Sequence, residues 1–183
     1  MSEKLKSPKI CIYLKPSLDT ILTFKDENIL PISPVLGFHS TIHHIDYVCN
    51  LAIGSTEEEF GAVLKSTAKT TKHFPQIEIK KIKKWNHPII MFGRDNELVS
   101  LHEKLGLRFV LSGILINNTY ANVNPYIFKS EHGDKPNGYN PHISISHKPK
   151  KILKEIEFQP VLFSRVKTTE GLWEEEVRYD LLK

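Results

Sequence analysis

The chain has 183 residues, 40% of them hydrophobic and 25% charged, with a net charge of +4. That balance is of an ordinary globular protein and excludes collagen-like and disordered chains, while the length suits one domain over residues 1–183 with a real core. No apolar segment approaches the roughly 20 residues of a membrane helix, and the polar start "MSEKLKSPK" with its short apolar run does not fit a signal peptide. The expectation is a cytoplasmic monomer that does not engage a membrane. Cys11 and Cys49 lack the paired spacing of a zinc site and read as reduced thiols.

In chain order, "KICIYLKP" reads as a first strand ended by Pro16. A weaker segment from Ser17 to Pro34 holds one short helix and a loop. "GFHSTIHHIDYV" is a second strand, in which Phe38, Ser40 and Ile42 alternate with His39, Thr41 and His43. "STEEEFGAVLKSTAKTTKHF" is a helix with a Ser55/Glu58 capping box and a stripe of Phe60, Val63, Leu64 and Thr67. "QIEIKKIKKW" and "HPIIMFG" are two strands joined tightly at Asn86 to Pro88. "DNELVSLHEKLG" is a second helix, capped by Asp95 or Asn96, burying Leu98, Leu101 and Leu105, and stopped by Gly106.

"FVLSGILI" fits strand or helix, and the turn-rich stretch that follows makes residues 107–138 a long irregular segment. Next come the strand "PHISISH", a short helix near "KKILKEIEF", and a closing hairpin about Glu170 and Gly171. The order is that of an α+β protein.

Lys80, Lys81, Lys83 and Lys84 form a basic cluster. It reads either as a solvated edge strand that lysine protects from aggregation or as a patch that attracts phosphates.

The most informative feature occurs twice. His39-Ser40-Thr41-Ile42 and His142-Ile143-Ser144-Ile145 both run His, any residue, hydroxyl, apolar, each on an alternating strand. Residues i and i+2 of a strand share a face about 7 Å apart, so an imidazole and a hydroxyl can address one small group. Two such strands facing each other would surround a phosphate with two acid–base groups and two hydroxyls. Histidine suits both proton transfers because its pKa lies near working pH, and the hydroxyls can hold oxygens on which charge builds.

No pair of histidines has helical i, i+4 spacing with a carboxylate partner, so no metal is expected. His43 shares the strand face of His39, His44 and His147 lie on opposite faces, and His73, His102 and His132 read as solvent-facing. Tyr139 either stacks on a base or packs beside Pro141, and Trp173 reads as core.

The paired motifs, the Tyr139-Asn140-Pro141-His142 lead-in, the lysine-rich hairpin with its following helix, and the closing hairpin together resemble the 2H phosphoesterase superfamily, also called LigT-like. The resemblance implies two pseudo-symmetric lobes, each a small antiparallel sheet with flanking helices, and an active-site cleft between them. It implies His39 and His142 as catalytic residues, Thr41 and Ser144 as phosphate-binding hydroxyls, and no metal or other cofactor. The implied activity is phosphodiester cleavage in RNA or a small nucleotide, at a 2′,3′-cyclic phosphate or a 2′-5′ linkage. Viral and phage relatives that degrade 2′-5′ or cyclic oligonucleotide messengers are a second branch, and a non-catalytic RNA- or nucleotide-binding module is a third reading. The sequence departs from the family pattern at Ser144, where threonine is commoner, and at His147, where bacterial members often carry arginine. The wide spacing of the motifs places an insert within 107–138.

Overall fold

The computed structural model describes residues 9–47, 57–73, 76–93, 96–113, 116–117, 141–151, 153–167 and 170–182. The first half contains β1 (Lys9–Leu14), α1 (Leu18–Asp26), β2 (Ser40–Tyr47), α2 (Glu57–Ala68), β3 (Ile77–Lys84) and β4 (Pro88–Phe92). The second contains α3 (Glu97–Leu111), β5 (Ile116–Asn117), β6 (His142–Ser144), β7 (Glu155–Ile156), β8 (Val161–Lys167) and β9 (Val177–Asp180).

The strands form two antiparallel sheets, one five-stranded in the order β5-β2-β1-β8-β9 and one four-stranded in the order β6-β4-β3-β7. The series β2-β1-β8-β9 and β6-β4-β3-β7 match strand for strand, with each histidine-bearing strand at the same place. This is the expected α+β architecture of two lobes. The N- and C-terminal strands, joined by the short β5, build the first sheet, and β3, β4, β6 and β7 from the middle of the chain build the second.

Local sequence explains the elements. Ser17 caps α1 through its side chain, and Asn96 caps α3 by accepting from the Leu98 and Val99 amides at 3.0 and 3.3 Å. Three glutamates fill the first turn of α2, where the helix dipole favours them. The Asp95 alternative and the Ser55 cap lie outside the described residues. Pairing of β3 with β4 skips Lys80. That bulge explains why the inward residues run Ile77, Ile79, then Ile82, a slip of one from strict alternation.

Helices α2 and α3 pack on each other and on the first sheet, with Phe60 stacked on Phe109 at 5.2 Å. The end of α1 is tied to the second sheet, where Leu30 and Ser146 bond through both backbone and side chain. One apolar core runs through both sheets and includes Ile12 and Leu14 of the first, Ile90, Ile143 and Ile145 of the second, and Phe158 between them. Among the described residues no helix is long and apolar enough to cross a membrane.

Three sequence expectations are corrected. Helix α3 runs through Gly106 to Leu111, because burial of Leu105 and Phe109 outweighs the roughly 1 kcal/mol that an interior glycine costs. Residues 153–158 carry no helix; Glu155 and Ile156 pair with β3 instead. Strand β3 lies inside its sheet, yet β7 pairs only with Ile77 and Glu78, so among the described residues no strand pairs with the second edge of its lysine-bearing half. Most of the 107–138 segment lies outside the described residues.

Candidate active site

The two motifs show the same burial pattern. Ser40 and Ile42 in the first, and Ile143 and Ile145 in the second, are at most 1% exposed, while His39, Thr41, His142 and Ser144 are half-buried. Each His and hydroxyl therefore shares the strand face turned away from the apolar core, as period-two geometry requires. Strands β2 and β6 adjoin across the two sheets. With these strands adjoining, the two imidazoles come from separate lobes to within electrostatic reach, where a charge on His142 disfavours one on His39.

His39 is held by a designed turn. The Gly37 amide bonds to the Ser33 carbonyl at 2.7 Å, and Gly37 takes a φ of +66°, which favours glycine. Arg165 pins the same turn by donating to the Val35 carbonyl at 2.7 Å. The Gly37 carbonyl then accepts from His39 Nδ1–H at 2.9 Å. A carbonyl only accepts, so the proton of neutral His39 sits on Nδ1 and Nε2 carries the lone pair. Burial holds the His39 pKa below its ordinary value, helped by the charges of His142 and Lys15 and opposed by the Gly37 bond.

Beneath His39 lies a second, smaller apolar cluster of Cys11, Tyr13, Leu36, Val161 and Phe163, with Trp173 packed against it. Tyr13 meets His39 edge-on at 5.7 Å and stacks on Phe163 at the same separation. Its hydroxyl donates to Glu176, which also binds Lys15 at 2.7 Å. Burial works to raise the Glu176 carboxyl, but the bonds from Lys15 and Tyr13 and the charges of Lys15 and Arg165 hold it below the usual carboxylate value. Burial pushes the Cys11 thiol up to about 12, against the lowering effects of its Thr41 hydrogen bond and of Arg165. Cys11 is therefore a protonated partner of Thr41 and not a nucleophile.

His142 sits beside the β3–β4 turn, where Trp85 meets it edge-to-face at 5.9 Å. Sequence reasoning did not single out Trp85 because it sits inside a lysine run that reads as charge. His102, expected in solvent, is 4% exposed and donates from Nδ1 to the Ile42 carbonyl at 2.7 Å. The β1–β2 register skips Ile42, and a bulged residue loses its ladder partner. His102 thus meets a carbonyl on the strand that carries Thr41.

His147 is exposed and bonds Ser146 at 3.0 Å and the Glu27 carbonyl at 3.2 Å, a clamp between α1 and the end of β6. Tyr139 and His132 lie outside the described residues, as do the side chains of His43 and His44.

The fold is shared with solved structures. A phosphoesterase crystal structure superposes with a TM-score of 0.54 at 12% identity, covering 97% of this chain and 99% of its own. Escherichia coli LigT without ligand gives the same TM-score, identity and coverage. LigT complexed with 3′-AMP gives 0.51 at 10% identity, covering 97% of this chain and 99% of its own. No protein-family model matches the sequence, and no curated protein sequence does. The chain has the two-lobed fold of these phosphoesterases over almost its whole length.

Proposed function

We propose that this chain is a metal-independent phosphodiesterase of the 2H phosphoesterase superfamily, acting on a nucleotide or RNA at a 2′,3′-cyclic phosphate or a 2′-5′ linkage. The observation that carries the reading is the convergence of His39 and His142 from two lobes, each with a hydroxyl two positions on along the same face. The LigT structures complexed with 3′-AMP and with phosphate support a nucleotide-type ligand on this fold.

His39 is the base. Burial and the neighbouring positive charges favour its neutral form, and its Nε2 takes the proton of the attacking water or ribose hydroxyl. His142 is the acid and protonates the departing oxygen. Thr41 and Ser144 hold the non-bridging oxygens as charge gathers on them. After the step His39 carries the proton and His142 has lost one, so solvent exchange resets the pair.

The test is cleavage, in EDTA, of a panel of 2′,3′-cyclic nucleotides, 2′-5′ and 3′-5′ oligonucleotides and cyclic oligonucleotides. One class is expected to be cleaved. Loss of activity in chelator with recovery on adding a divalent ion would overturn metal independence. Tight binding of a nucleotide without cleavage of any substrate would make the chain a binding module.

The pH profile tests the assignment of the base. With the His39 pKa depressed, the acid limb of kcat/KM should fall below the ordinary imidazole value of about 6.5. Lys15→Met removes a charge that lowers His39 and takes the nearest cation from Glu176, leaving that carboxylate less neutralised. Both effects favour protonated His39, so the limb should move to higher pH. A limb that stays in place would remove Lys15 from the account.

A further inference from the structure

The β3–β4 turn places a large aromatic surface in solvent beside the site. Trp85 is 46% exposed, and its amide donates to the His87 carbonyl at 3.0 Å, closing the turn tightly. One side of the indole meets His142 at 5.9 Å and an interplanar angle of 64°. Lys83 Nζ lies 5.8 Å from the ring centroid, and Lys81 and Lys84 are exposed nearby. A turn in water has no need of tryptophan, and leaving so much apolar surface hydrated is unfavourable. The lysine contact alone contributes little at an exposed position. Flat aromatic surface interleaved with lysines, within one ring contact of an acid–base histidine, suits a nucleotide. A base can lie on the indole while the lysines meet the backbone charge.

We propose that Trp85 is the nucleobase-stacking residue of the site, holding the base of the nucleotide whose phosphorus lies beside His142. The assignment rests on the phosphodiesterase reading above. A nucleoside carries its base and its phosphate-bearing carbons on one sugar ring. A base on Trp85 therefore sets a 2′- or 3′-phosphorus next to the neighbouring imidazole. Every base has a π face, so this platform accepts all four and leaves choice among linkages to the histidines and hydroxyls. Lys83 and Lys84 lie beyond the indole along β3, where a longer strand would place its next phosphate.

The chain has two tryptophans, so Trp173→Phe leaves Trp85 as the only indole fluorophore. In that background adenosine 3′-monophosphate should quench the emission, and inorganic phosphate should not. Trp85→Ala should weaken binding of adenosine 3′-monophosphate about 5- to 150-fold and leave phosphate binding unchanged, while Trp85→Phe should retain most of the affinity. The proposal is overturned if Trp85→Ala leaves nucleotide affinity unchanged, if it weakens phosphate equally, or if the nucleotide does not bind the wild-type chain. Equal weakening would mean that the indole only supports His142. The two readings fail separately. Quenching by nucleotide without cleavage of any phosphodiester would remove the phosphodiesterase and keep the stacking surface. Cleavage with an unchanged KM in Trp85→Ala would do the reverse.

Discussion

His39→Ala and His142→Ala should each lower kcat on the cleaved substrate by about 10²- to 10⁴-fold, with KM much less affected. Both imidazoles are half-buried on a face away from the core, and the residues that anchor their strands, Ile42, Ile143 and Ile145, are untouched. The variants should therefore fold, and the loss is a loss of proton transfer. In the proposed mechanism the two substitutions remove opposite ends of one step, so the double variant should be little worse than the poorer single one. The pH profiles should differ in a defined way. His39→Ala should lose the acid limb, which reports protonation of the base, and His142→Ala should lose the alkaline limb, which reports deprotonation of the acid. Steady-state kinetics across pH decide the matter, and a variant that retains more than a tenth of wild-type turnover would show that the pair is not the acid–base set.

The faces of the two histidine strands were legible in the sequence because a half-buried strand writes its faces into alternate positions. His39 with Thr41, and His142 with Ser144, lie on the faces that period two assigns them. What alternation does not encode is a break in register. The bulge at Lys80 and the skipped Ile42 are visible only once the partner strands are placed.

The burial of His102 is written in its spacing. Leu98, His102, Leu105 and Phe109 follow helical spacing, so the histidine lies on the buried stripe of α3, where it reaches β2. Gly106 alone signals a stop because local propensity takes no account of the apolar residues beyond it. The contacts of Tyr13, Lys15 and Glu176 join residues more than 150 positions apart, a separation that no local pattern spans. Trp85 was hidden for a similar reason, since its value comes from His142 on another strand.

The relative placement of the two histidines depends on how the sheets pack, and Phe158 is where that packing can be tested. It is 1% exposed and meets Phe92 at 5.6 Å. Its flanks run beside the segment that follows β1: Ser17 bonds the Glu157 carbonyl at 2.7 Å and Gln159 bonds the Lys15 carbonyl at 2.9 Å. Phe158→Ala should cost about 3–5 kcal/mol through lost burial and the cavity left behind, which for a chain of this size lowers Tm by about 6–20 °C. Phe60→Ala, at a residue 4% exposed in the α2–α3 layer, should cost a similar amount at a distance from the junction. Turnover measured well below both melting temperatures separates the two. A cavity between the sheets should let the imidazoles drift from their working separation, and small displacements at a reacting centre are costly. Phe158→Ala should therefore lose kcat while still folded, whereas Phe60→Ala should keep it. Equal stability losses with full kcat in both variants would mean that the cleft is set by the contacts between β2 and β6 and not by the core beneath them.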